Sequence, residues 1–136
     1  MSNYSENAIY DAIADGINAR VPSCKCYSRY TERIERFPAA FIYPLDVTEP
    51  QRSRTLAGDS LAFRWTFEIQ LFSNSRNGAK AEVEEMKAGA ADAFRPMHFR
   101  IVSARQIPGG TNDIYRYVIR IDRIIGEADE MPSDNP

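Results

Sequence analysis

Apolar residues recur at helical spacing near the start of the chain. Ile9, Ile13 and Ile17 follow one another at intervals of four, with Tyr10, Ala14 and Val21 beside them. This is one apolar stripe, and it predicts an amphipathic helix from about Tyr4 to Ala19. Ser5 is placed to cap it. Pro22 ends it, because proline disfavours helical geometry in the residue before it. A short strand is predicted around Lys25 to Tyr30. A second, "FPAAFIYPLDV" (Phe37 to Val47), is bulky and aromatic, with Pro38 and Pro44 flanking its centre. Proline has no N–H for a sheet ladder, so this strand is expected at an edge, or bent at its ends.

The period then changes to two. In "LAFRWTFEIQLF", Leu61, Phe63, Trp65, Phe67, Ile69 and Leu71 alternate with Ala62, Arg64, Thr66, Glu68 and Gln70. Alternation of this length predicts a strand with one buried and one polar face. Ala79, Val83, Met86, Ala90 and Phe94 return to helical spacing, with Glu82, Glu84, Glu85 and Lys87 on the opposite side and Pro96 as the stop. His98 to Pro108 and Asp113 to Ile125 read as two final strands joined by "GGTN". On the last strand Tyr115, Tyr117, Ile119 and Ile121 share one face, while Arg116, Arg120 and Asp122 share the other. The order α-β-β-β-α-β-β predicts an α+β fold: an antiparallel sheet of about five strands with two helices packed on one face. Residues 1–126 are expected to form a single domain, and 127–136, acidic and proline-bearing, a flexible tail.

Composition adds bounds rather than detail. A chain of 136 residues suits one domain. Its net charge of −2 argues against a dedicated nucleic-acid binder. No run approaches the roughly 20 apolar residues that span a bilayer, and the N-terminus lacks the basic region and apolar core of a signal peptide. An intracellular protein without membrane contact is expected.

Candidate chemistry is sparse. The stretch "QLFSNSRNGAKAEVEEM" (Gln70 to Met86) joins a strand to a helix through a polar turn, as phosphate-binding loops do. Such a loop needs several glycines and a Gly-Lys-Ser/Thr ending; here Gly78 stands alone and Ala81 follows Lys80. Asn74, Ser75 or Asn77 as a helix cap is the simpler reading. Cys24 and Cys26 fall on one face of a strand with no further metal ligand near them, and are expected to be half-buried thiols. His98, the one histidine, has no partner that would make it a base and is expected at a strand start. Glu82, Glu84 and Glu85 read as a solvated helix face. No catalytic, cofactor-binding or metal-binding residue is assigned, and no enzyme is expected.

Two features point instead to association. "TEPQRSRTLAGDS", Thr48 to Ser60, is long for a hairpin loop. It carries Glu49, Gln51, Arg52, Arg54 and Asp59, which could form ion pairs across an interface. Arg64, Arg116 and Arg120 lie on the polar face of the sheet, together with Glu68 and Gln70. That face is either solvated or packed on a neighbouring subunit. These charged loop and sheet residues are the candidate subunit or tube interface.

The chain resembles a known family in three phrases. Phe72, Ser73 and Asn74 end a strand that runs into a helix opening with Gly78, Lys80, Ala81 and Glu82, and a late strand opens with Ile114, Tyr115 and Arg116. "FPAAFIYPLD" and "IYRYVIRIDRII" add to the likeness. These phrases are similar to those of the small tail-completion and tail-terminator proteins of long-tailed bacteriophages, over residues 5–125. The chain departs from the usual pattern at "FRPMHFRI". The resemblance implies a virion protein assembled in the host cytoplasm. Its subunits would form a ring, usually a hexamer, that caps the tail tube and joins it to the head connector. The sheet would line the passage, through which DNA slides without specific binding. A head-closure or other neck protein is the alternative within this class, and a small ligand-binding or enzymatic α+β domain the alternative outside it.

Overall fold

The computed structural model describes residues 4–30, 34–48, 62–108, 114–126 and 129–132. Its elements are α1 (Glu6–Arg20), β1 (Lys25–Tyr27), β2 (Ala39–Thr48), β3 (Ala62–Ser73), α2 (Ala79–Phe94), β4 (Arg100–Gln106) and β5 (Tyr115–Gly126). The strands form one five-stranded sheet in the order β1-β2-β3-β5-β4, and the α+β class follows. The sheet is mixed rather than wholly antiparallel: β1 runs parallel to β2, with Lys25 opposite Ala39 and Tyr27 opposite Phe41. All other neighbours are antiparallel.

Local chemistry explains most boundaries. Ser5 is extended and its Oγ accepts from the Ala8 N–H at 3.0 Å, satisfying a donor that the helix start would otherwise leave free. At the other end the Val21 N–H donates to the Ile17 carbonyl. Asn18 Nδ2 then donates to the Val21 and Cys24 carbonyls at 3.3 and 2.8 Å, steering the chain into β1. Strand β2 is not a sheet edge, but β1 covers only Ala39–Phe41. Pro44 lies beyond that cover, and the ladder with β3 shifts register between Pro44 and Asp46. The missing N–H thus falls where the sheet bends.

The start of α2 differs from the expectation. Gly78 occupies the cap position, and no side chain caps it. Asn74, Ser75 and Asn77 do not serve. Instead Ser73 Oγ donates to Glu82 Oε1 at 2.6 Å and accepts from the Ser75 N–H at 3.3 Å. An acidic side chain in the first turn, held by the end of β3, stabilises the positive pole of the helix. His98 is also displaced from its expected place at a strand start. It is exposed, at φ 63°, in the turn before β4.

Both helices lie on one face of the sheet. Ile9, Ile13 and Ile17 of α1, with Val83, Met86 and Phe94 of α2, pack with Phe67, Ile69 and Leu71 of β3 and Ile119 and Ile121 of β5. These side chains are almost fully removed from water. The helices meet at Gly16 and Gly89. A Cβ on Gly89 would stand 2.4 Å from the Gly16 carbonyl oxygen, closer than any real contact, so only glycine fits there. Past β5, Asp129 Oδ2 accepts from the Gly126 N–H at 2.7 Å and pairs with Arg123, and Met131 packs against the main core. Among the described residues no helix is long and apolar enough to cross a membrane.

Candidate subunit interface

Among the described residues no helix lies on the second face of the sheet. Of the candidate interface residues, Arg64, Arg116 and Arg120 stand on it, on β3 and β5, which run side by side along their whole length. Glu49, Gln51, Arg52, Arg54 and Asp59 lie outside the described residues. Even side-chain alternation brings the open face together: Arg64, Glu68 and Gln70 on β3, Arg116, Arg120 and Asp122 on β5, Tyr43 on β2 and Arg100 on β4.

These groups form two linked clusters and one aromatic patch. In the middle, Arg120 Nε donates to Glu68 Oε1 at 3.0 Å, and Tyr43 donates its hydroxyl proton to Glu68 Oε2. Gln70 Nε2 donates to Tyr43 Oη at 2.7 Å, and Gln70 Oε1 accepts from Arg116 at 2.6 and 3.0 Å. Toward β4, Asp122 accepts from Arg100 Nε at 2.6 Å and from Arg64 Nη1 at 3.1 Å. At the β1 end Phe41 stacks on Tyr27 and meets Phe72 edge-on, and the Arg116 guanidinium lies 5.3 Å from the centre of the Phe72 ring.

The burial on this face is uneven. Glu68 and Asp122 are only 7% and 6% exposed, while the side chains of Arg120 and Arg100 are 52% and 70% exposed. The acids form the floor, and the arginines lie over them with donors to spare. The Arg100 guanidinium, with that of Arg64, holds the Asp122 carboxyl below the usual carboxylate range against the opposing effect of burial. Burial, helped by the bond to Glu68, pushes the Tyr43 hydroxyl up to about 12, so it remains a donor at neutral pH.

The expected half-buried thiols are placed differently from each other: Cys24 is buried, Cys26 is half-buried, and both are free. The hydrogen bond to Cys26 and burial push the Cys24 thiol up, which makes it a poor nucleophile at neutral pH. Among the described residues no group of three metal-ligating side chains comes together. A groove of about 450 Å³ is lined by Ala12, Asp15 and Gly16 of α1, by Asp92 of α2, and by Met97 and Met131 beyond the helices.

No protein-family model and no curated protein sequence matches the chain. Among solved structures the fold is similar to the sheath/tube terminator of an extracellular contractile injection system, PVC, in its extended state. The TM-score is 0.50 and the identity 11%; the likeness covers all of this chain and 63% of that one. At that identity the likeness concerns the fold.

Proposed function

We propose that the protein is a structural subunit of a phage tail or phage-like particle that terminates the tail tube. The observation that carries this reading is the fold likeness over the full length of the chain to a sheath/tube terminator. The sequence phrases at Phe72–Asn74, Gly78–Glu82 and Ile114–Arg116 point the same way. In this reading the subunits join into a ring, a hexamer by family resemblance, which caps the tube, meets the head connector and lets DNA pass. Closure of the ring limits assembly, so the mechanism is symmetric binding rather than catalysis. The open face supports it: it carries arginine and aromatic residues, the types enriched at protein interfaces.

Electron microscopy of particles assembled with this gene deleted tests the proposal. Tails of abnormal length beside unjoined heads support it. Tails of normal length beside full unjoined heads move the protein to head closure or another part of the neck. Intact, infectious particles overturn it.

A further inference from the structure

The two sides of the molecule carry opposite charge. On the open sheet face Arg64, Arg100, Arg105, Arg116 and Arg120 stand against Asp46, Glu68 and Asp122. The arginines outnumber the acids there, although the whole chain has a net charge of −2. The helical layer is the reverse. On α1, Glu6, Asp11 and Asp15 stand against Arg20. On α2, Glu82, Glu84, Glu85 and Asp92 stand against Lys80 and Lys87. Asp15 and Asp92 line the groove beside the helices; Asp92 pairs with Arg20, and Asp15 is exposed.

From this complementarity we infer that the open sheet face of one copy docks on the helical layer of the next copy. The inference rests on the ring reading and specifies how its subunits join. Two different surfaces meet, so the contact is heterologous, and a heterologous contact whose rotation closes makes a ring. The footprint is adequate. The strands lie about 4.8 Å apart, β3 and β5 spanning about 40 Å and β1 only about 10 Å, and together they present roughly 700 Å², close to the roughly 800 Å² per partner of a stable interface. The face also carries what such contacts use: Ile124, 42% exposed, at one end and Tyr30, 40% exposed, at the other, with arginine donors between them. Turned to a lumen, the same arginines would hold passing phosphates. Turned to a neighbour's acids, they steer and register the subunits.

The test uses one variant for each surface. Ser103→Glu/Arg105→Glu reverses charge on β4, where every residue is exposed. Asp11→Lys/Asp15→Lys reverses it on the exposed side of α1. None of these four side chains holds a buried group, and melting curves are to check that both variants fold. Association of the full chain is followed by native mass spectrometry and sedimentation at low and physiological ionic strength. The wild type should associate, and each variant alone should do so at least about tenfold more weakly. Mixed together, the variants should form one-to-one dimers that grow no further, because each keeps one intact surface. An α1 variant that associates alone like the wild type overturns the inference, as does a mixture that stays monomeric or a wild type that never associates. So does binding of short duplex DNA at physiological salt that the β4 variant abolishes, which would assign the face to phosphate. These outcomes are independent of the tail-length measurement, which tests the ring reading separately.

Discussion

The two faces of the sheet are built on different physics. The covered face is held by removal of apolar surface from water: Phe67, Ile69, Leu71 and Ile121 are 0% exposed beneath two helices. The open face also buries its floor, but the floor is Glu68, Gln70 and Asp122, and its cover is a layer of half-exposed arginines. Burial is non-directional and tolerates modest repacking. A buried carboxylate tolerates nothing that removes its donors, because the uncompensated charge is costly. One face therefore supplies stability, and the other fixes where particular side chains stand.

The largest expected effect lies on the covered face. Phe67→Ala removes a ring packed between Trp65 and Phe99 and should cost about 4 kcal/mol in a denaturant titration. A loss as small as that of a surface substitution would break the contrast between the faces. Next, Gly89→Ala should cost about 3 kcal/mol, because its Cβ would meet the Gly16 carbonyl oxygen and the Ile17 Cα, which are backbone and cannot rotate away. On the open face, Asp122→Asn should cost about 2 kcal/mol at neutral pH by weakening three charge-assisted bonds, from Arg64 and Arg100. Its folded pKa is lowered. The stability from Asp122 is therefore full above the ordinary carboxylate value near 4 and drains as pH falls through the lower folded value. Wild type and variant should converge in acid-melting curves below about pH 4, and a gap constant with pH would contradict the assignment. The smallest effect is expected outside both faces. Arg20 pairs with Glu85 and Asp92 in the open, so Arg20→Ala should leave the melting midpoint where it was.

Much of this was legible in the chain, and what was not has a physical reason. Alternation through β3 assigned Phe67, Ile69 and Leu71 to the core and Arg64, Glu68 and Gln70 to the other side, because strand geometry admits no other arrangement. The Ser5 cap was equally local. The pairing of β1 was not legible: three residues have no period, and their direction is set by the distant β2. Alternation also marked Glu68 and Asp122 as polar without showing that they are buried. Their burial comes from arginines on neighbouring strands, Arg120 over Glu68 and Arg64 and Arg100 over Asp122. The close approach of Gly16 and Gly89 was missed too. Its trace is small residues spaced by four, Ala12 with Gly16 and Gly89 with Ala93. The open-face arginines of the candidate interface share one face as alternation required, Arg64 toward one end and Arg116 toward the other, while the loop residues Glu49 to Asp59 lie outside the described residues.

The glycine contact between the helices has a mechanical consequence. With no side-chain volume between Gly16 and Gly89, the two backbones touch, and a slide that brought another residue's Cβ to this point would drive it into the opposing carbonyl. The helical layer will therefore move as a single stiff plate. Any change in curvature must be absorbed by the sheet, where the register already slips between Pro44 and Asp46 on β2 and between Ile101 and Ser103 on β4. Those two irregularities flank the central strands as a pair of creases, about which the outer strands can fold while the plate stays flat.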